Sequence, residues 1–216
     1  MRVRIKICGL TTPAAAEAAA ALGVDAVGFV FAQSPRRIEP DAARSLSARL
    51  SPFVTRVAVF RYPDPADVER VITAVAPQVI QTECSQEIED TVARRAALLP
   101  VFHDGDDLVD RVTRYRDRSS SATTVLLEAP GRGGRGVAPD WSRAAQVARS
   151  VHLVLAGGLT PENVEDAIRA VHPYAVDVSS GVEAAPGEKD PRRMEQFVAA
   201  VRRAEQQLES TLEISS

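Results

Sequence analysis

Short apolar runs recur eight times along this chain, and each gives way to a segment with helical spacing or to a small-residue loop that leads into one. The runs are residues 3–8, 26–31, 54–60, 79–81, 98–102, 124–128, 153–156 and 175–178. They are nearly continuous in apolar character. Strands buried on both faces of a parallel sheet read this way, whereas half-exposed strands alternate. Helical patterns fill the gaps: 13–22, 40–50, 65–75, 85–97, 107–117, 141–149, 162–171 and 192–208. Thr12 and Asp64 stand where N-caps belong, and Gly23 stands where a helix should stop. Eight strand–helix units of about 25 residues predict an α/β (β/α)₈ TIM barrel. A flavodoxin-like or Rossmann sheet needs only five or six units. No linker interrupts the pattern, so residues 1–216 are expected to form one domain, with 205–216 a polar tail that frays.

The composition excludes several classes of function. Charged residues are 25% of the chain and the formal net charge is −3, which gives no reason to expect nucleic acid or an acidic membrane as a partner. No run approaches the roughly 20 apolar residues of a membrane span, and the basic start lacks the apolar core of a signal peptide. Cys8 and Cys84 are the two cysteines, with no metal-type spacing. The cytoplasm is the expected compartment. The oligomeric state is left as monomer or homodimer.

Chemistry in a barrel of this type sits on the loops after the strands. Ala156-Gly157-Gly158 follows the seventh run and Ser179-Ser180-Gly181 follows the eighth. Small residues let backbone N–H groups approach a phosphate, so these two loops are read as a phosphate cradle. The glycines could instead serve only tight turns. Cys8 ends the first run and precedes Gly9, at the expected barrel mouth. A lone cysteine is most often a small buried hydrophobe, but a thiolate there can act as a base. Glu128 ends the sixth run; it is either a solvated strand end or a general acid. The loop Gly131-Arg132-Gly133-Gly134-Arg135-Gly136 has dinucleotide-type spacing, yet it opens no helix directly and belongs to a late unit. It is read as a mobile active-site loop. Of Arg36 and Arg37, the second is expected to be solvated. His103, His152 and His172 show no ligand spacing, and Cys84 is read as packing.

These motifs together resemble the phosphoribosylanthranilate isomerase family of tryptophan biosynthesis. The resemblance rests on Lys6-Ile7-Cys8-Gly9, Ser34-Pro35-Arg36, Gly133-Gly134-Arg135-Gly136 with Asp140-Trp141, Gly157-Gly158-Leu159, Asp177-Val178-Ser179-Ser180-Gly181-Val182-Glu183 and Pro186-Gly187-Glu188-Lys189-Asp190. It implies a general-base role for Cys8, an acid role for Glu128, and a substrate-carboxylate contact for Arg36. It places Gln81, Gly134, Gly157, Gly158, Ser179, Ser180 and Gly181 around a phosphoribosyl arylamine. The implied reaction is a cofactor-free Amadori rearrangement. Three positions depart from the family pattern. Glu128 replaces an Asp. Gln81-Thr82-Glu83-Cys84 carries an acid where the family has a His. The fifth run ends Val101-Phe102-His103-Asp104 rather than in small apolar residues. Two alternatives therefore stay open: a paralogous isomerase acting on another phosphoribosyl amine, and a non-catalytic phosphosugar-binding barrel.

Overall fold

A computed structural model describes residues 2–118, 123–131 and 137–214. Strands β1 (Arg4–Cys8), β2 (Ala26–Val30), β3 (Thr55–Val59), β4 (Val79–Thr82), β5 (Ala97–His103), β6 (Thr124–Glu128), β7 (His152–Leu155) and β8 (Ala175–Val178) are hydrogen-bonded in chain order into a closed barrel. Helices α1 (Pro13–Ala21), α2 (Pro40–Ser47), α3 (Pro65–Val75), α4 (Gln86–Val92), α5 (Leu108–Asp117), α6 (Trp141–Ala148), α7 (Val164–Val171) and α8 (Pro191–Ile214) follow the strands in turn. The architecture is the (β/α)₈ TIM barrel. After β8 the chain makes one 3₁₀ turn, Ser180–Val182, and a small antiparallel hairpin of β9 (Glu183–Ala185) and β10 (Glu188–Lys189).

Two compact units make up the chain. One comprises residues 6–101 and 183–191. In it β1 to β5 pair in parallel, with Cys8 opposite Gly28, Val59 opposite Gln81 and Thr82 opposite Pro100. Its core contains Ile7, Val27, Phe29, Val68 and Ile80, all essentially without exposure. The other comprises residues 1–5, 102–182 and 192–216. There β6, β7 and β8 pair in parallel, and Leu126, Leu153, Leu155, Ile168 and Phe197 are fully buried.

Local chemistry explains where the helices begin. Thr12 accepts a hydrogen bond from the Ala15 N–H, Asp64 from Ala66, Ser85 from Ile88, and Asp140 from Ser142 and Arg143. Pro13, Pro40 and Pro65 each take a first-turn position, where their missing donor costs nothing. Helix α4 differs from the sequence expectation. It ends at Val92 rather than 97, and β5 begins at Ala97. The chain leaves the helix through an extended Ala93 and a left-handed Arg94 (φ 65°). The apolar residues after them had continued the helical pattern.

Candidate active site

In the first unit Cys8 closes β1 and is 8% exposed. Its partner across the strands is Gly28, and a Cβ there would lie 2.8 Å from the thiol sulfur. Any larger residue at 28 would displace Cys8. The strand end is pinned because the N–H groups of Gly9 and Leu10 both donate to the Gly28 carbonyl, at 2.8 and 3.1 Å. Gly9 has φ +81°, and a Cβ on it would strike the Arg36 Cδ at 2.7 Å. The turn after the thiol therefore admits Arg36 only because residue 9 has no side chain.

Arg36 is not a solvated arginine. Its Nε and Nη2 each donate to a Glu183 carboxylate oxygen at 2.7 Å, and Lys189 Nζ donates to the same carboxylate at 2.6 Å. The three side chains are 11%, 5% and 0% exposed. Burial pushes the Glu183 carboxyl up, but the hydrogen bonds from Arg36 and Lys189 and their charges outweigh it, so the group lies below the ordinary Glu value. Burial lowers Lys189, and its pairing with Glu183 offsets only part of that. Arg37, the neighbour, is exposed and pairs with Glu39 at 3.1 Å.

Gln81 ends up buried in β4, and its side-chain oxygen finds no hydrogen-bond partner among the described residues. Such a group stays costly until water or a ligand satisfies it. Glu83 accepts the N–H of Tyr62, a residue at φ 44°, at 3.2 Å. This acid therefore holds a strained loop residue after β3. Cys84 is half-buried, and its sulfur lies 3.8 Å from the Thr82 carbonyl.

In the second unit Glu128 closes β6, and its carbonyl accepts the Asp104 N–H at 2.8 Å. The Asp104 carboxylate reaches across to the start of α6. It accepts from the Asp140 N–H at 2.7 Å and from Arg143 Nε at 2.8 Å. The Arg143 hydrogen bond holds Asp104 below the ordinary carboxylate value against the upward push of burial. The altered end of β5 is thus a brace between the Glu128 strand and the far end of the loop that follows it. Gly134 and its neighbours 132–136 lie outside the described residues.

The phosphate-type loops lie in this unit as well. Gly157 (φ +90°) is packed against the Ala129 N–H and the Val137 carbonyl, each about 3 Å from where a Cβ would be. Gly158 is at φ +62°. Asn163 fastens this loop, donating to the Gly158 carbonyl and accepting from the Thr160 N–H, both at 2.8 Å. A Cβ on Gly181 would sit 1.9 Å from the Leu159 carbonyl oxygen, so the loops after β7 and β8 touch there. Arg193 Nε donates to the Gly181 carbonyl at 3.1 Å. The N–H groups of Gly158, Ser180 and Gly181 donate to no acceptor among the described residues. Donors of this kind, half-exposed on small residues, suit an anion.

Comparison with known proteins extends the match from these loops to nearly the whole chain. The family model for N-(5'-phosphoribosyl)anthranilate (PRA) isomerase matches residues 5–200. This chain belongs to that family. A relative from Pseudomonas aeruginosa, an N-(5'-phosphoribosyl)anthranilate isomerase, is 43% identical over 204 residues, covering 93% of this chain and 95% of the relative. The crystal structure of phosphoribosyl anthranilate isomerase from Thermus thermophilus aligns with TM-score 0.83 at 36% identity, over 93% of this chain and 98% of that one. Another isomerase of the family was solved in complex with reduced 1-(o-carboxyphenylamino)-1-deoxyribulose 5-phosphate. It aligns with TM-score 0.81 at 37% identity, over 93% and 99% of the two chains.

Glu183, Lys189 and Asn163 stand in or beside the sequence motifs with no role that the chain alone assigns, and Gly28 and Arg193 carry no sequence signal. Only Glu183 carried a signal, as the charged end of an otherwise small and apolar motif. Among the described residues no group of three or more His, Cys, Asp or Glu side chains could hold a metal ion, and no helix is long and apolar enough to cross a membrane.

Proposed function

We propose that this chain performs the Amadori rearrangement of N-(5-phosphoribosyl)anthranilate to 1-(2-carboxyphenylamino)-1-deoxyribulose 5-phosphate, a step of tryptophan biosynthesis. The observation that carries the reading is the match to phosphoribosylanthranilate isomerases over residues 5–200. It is supported further by a family member that binds a reduced form of that product.

The substrate phosphate is held by the N–H groups of Gly158, Ser180 and Gly181, with Gly157 and Ser179 shaping the two loops. Arg36 takes the aryl carboxylate, Gln81 offers its buried amide oxygen to the substrate, and Gly134 is a further substrate contact implied by the family resemblance. Glu128, protonated, gives its proton to the furanose ring oxygen as the C1′–O bond breaks, leaving a Schiff base. The Cys8 thiolate removes the C2′ proton, and the electron pair moves to form the enolamine. That species tautomerises to the ketone. No electrons leave the substrate, so the reaction needs no redox partner.

Two departures from the family pattern have partners within the protein. Glu83 holds the Tyr62 N–H, and Asp104 braces α6. These contacts account for both residues without calling for a different amine. The test is turnover of freshly prepared phosphoribosylanthranilate, followed by loss of its fluorescence. Wild type should be active, and Cys8→Ser should lose turnover while retaining affinity for the reduced product. A wild type inactive on this substrate would overturn the reading.

A further inference from the structure

A guanidinium has two edges that can grip a carboxylate bidentately, Nε with Nη2 and Nη1 with Nη2. In this protein Glu183 occupies the first edge of Arg36 completely, at 2.7 Å for both bonds. Arg36 Nη1 makes no hydrogen bond among the described residues. The arginine is therefore presented with one edge used by the protein and the other open.

The hairpin that carries Glu183 and Lys189 is seated firmly on the loops after β1 and β2. Gly187, at its tip, has φ +87°, and a Cβ there would lie 2.6 Å from the Pro35 carbonyl oxygen. Thr11 Oγ1 donates to the Gly187 carbonyl at 3.0 Å. On the other side, Gly9 packs on the Arg36 stem, and the Arg36 N–H donates to Ser34 Oγ at 3.1 Å. An arginine loses rotamer entropy when it grips a ligand; here that loss is taken on folding rather than on binding.

Lys189 is wholly shielded behind the Glu183 carboxylate and its charge also couples to Cys8, so the part of this cluster offered to a ligand is the second edge of Arg36.

We propose that the β9–β10 hairpin is a specificity element: Glu183 and Lys189 are positioning residues that fix Arg36 with one edge open, and so select phosphoribosyl amines whose aryl ring carries a carboxylate. The inference rests on the isomerase reading and names how its amine is chosen.

The test compares two probes by calorimetry. One is reduced 1-(o-carboxyphenylamino)-1-deoxyribulose 5-phosphate, and the other is the anilino compound that lacks only the carboxylate. Wild type should prefer the first. Glu183→Gln releases one side of the fork, and Lys189→Met removes the third donor to the Glu183 carboxylate while keeping the buried volume. Each should reduce the preference by about tenfold, the worth of one charge-assisted hydrogen bond, by weakening only the carboxylated probe. Inorganic phosphate affinity should stay constant, which reports that the fold and the phosphate loops are intact. If both variants keep the wild-type preference, or weaken both probes equally, the hairpin is only structural and the proposal fails. A wild type that binds neither probe would overturn the isomerase reading itself, and this inference with it.

Discussion

Gly181→Ala is the most informative single substitution in the phosphate loops. The added Cβ would stand 1.9 Å from the Leu159 carbonyl oxygen, and real Cβ contacts do not fall below 3.0 Å. The loops must therefore part by about 1.1 Å. The obstacle is backbone, so no side-chain rotation relieves it. Neither loop yields easily, because Asn163 ties the first at Gly158 and Thr160, and Arg193 holds the Gly181 carbonyl. A phosphate that bridges the N–H groups of Gly158 and Gly181 at normal hydrogen-bond length then keeps one loop and loses the other. Losing one such bond to a charged group is worth about 1.5–3 kcal/mol, or roughly 10- to 150-fold in affinity. Misplacing the substrate by about an ångström adds up to a hundredfold in kcat. The assay is competitive inhibition by inorganic phosphate, with kcat and KM for phosphoribosylanthranilate. Gly23→Ala is the control. It is also left-handed, at φ +65°, but nothing lies within 4 Å of its Cβ. It should cost about 1 kcal/mol of stability and leave phosphate inhibition unchanged. A folded Gly181→Ala protein with phosphate inhibition within about threefold of wild type would refute the bridged-loop cradle.

Four further outcomes are expected. Cys8→Ser should lower kcat by about 10²–10⁴, the usual worth of a positioned base, while calorimetry shows the reduced product bound nearly as tightly as before. Glu128→Asp draws the carboxyl back by about one ångström and should lower kcat by roughly a hundredfold; a faster variant would show that this site is not built around Glu. Asp104→Asn removes the negative charge that pairs with Arg143 and one of the two acceptor oxygens; it should lower the urea midpoint more than it lowers kcat, and an unchanged midpoint would remove its bracing role. Glu183 has a folded pKa below its ordinary value of 4.5, so its contribution to stability is present above that pH and is lost as pH falls through the folded value. Wild type minus Glu183→Gln stability, measured by urea unfolding across pH, should shrink on the acid side, and a gap that widens there would contradict the pairing.

The parts of this protein that sequence makes legible are those whose physics is local. Caps at Thr12 and Asp64 act over two or three residues, so the pattern and the bond lie in one window. The strand ends at Cys8 and Glu128 stand out because an apolar run stops there. The helical pattern misleads at residues 93–97, where Ala93, Arg95, Ala96 and Ala97 prolong a run that a left-handed Arg94 breaks. Long-range pairing is different in kind. Arg36 and Glu183 are 147 residues apart, and no spacing rule connects them. The same limit governs the departures from the family pattern. An acid at 83 and an acid at 104 each look like a changed binding surface when read from the chain alone. Folded, one holds a strained backbone N–H and the other holds Arg143 and the start of α6. A changed residue in a motif thus indicates a changed substrate only after its partners within the protein are known. By that criterion two of the three departures are accounted for by the fold. The third, Glu128, ends the strand whose carbonyl Asp104 grips, and exchanging it for Asp alters the reach of the acid without touching that backbone bond.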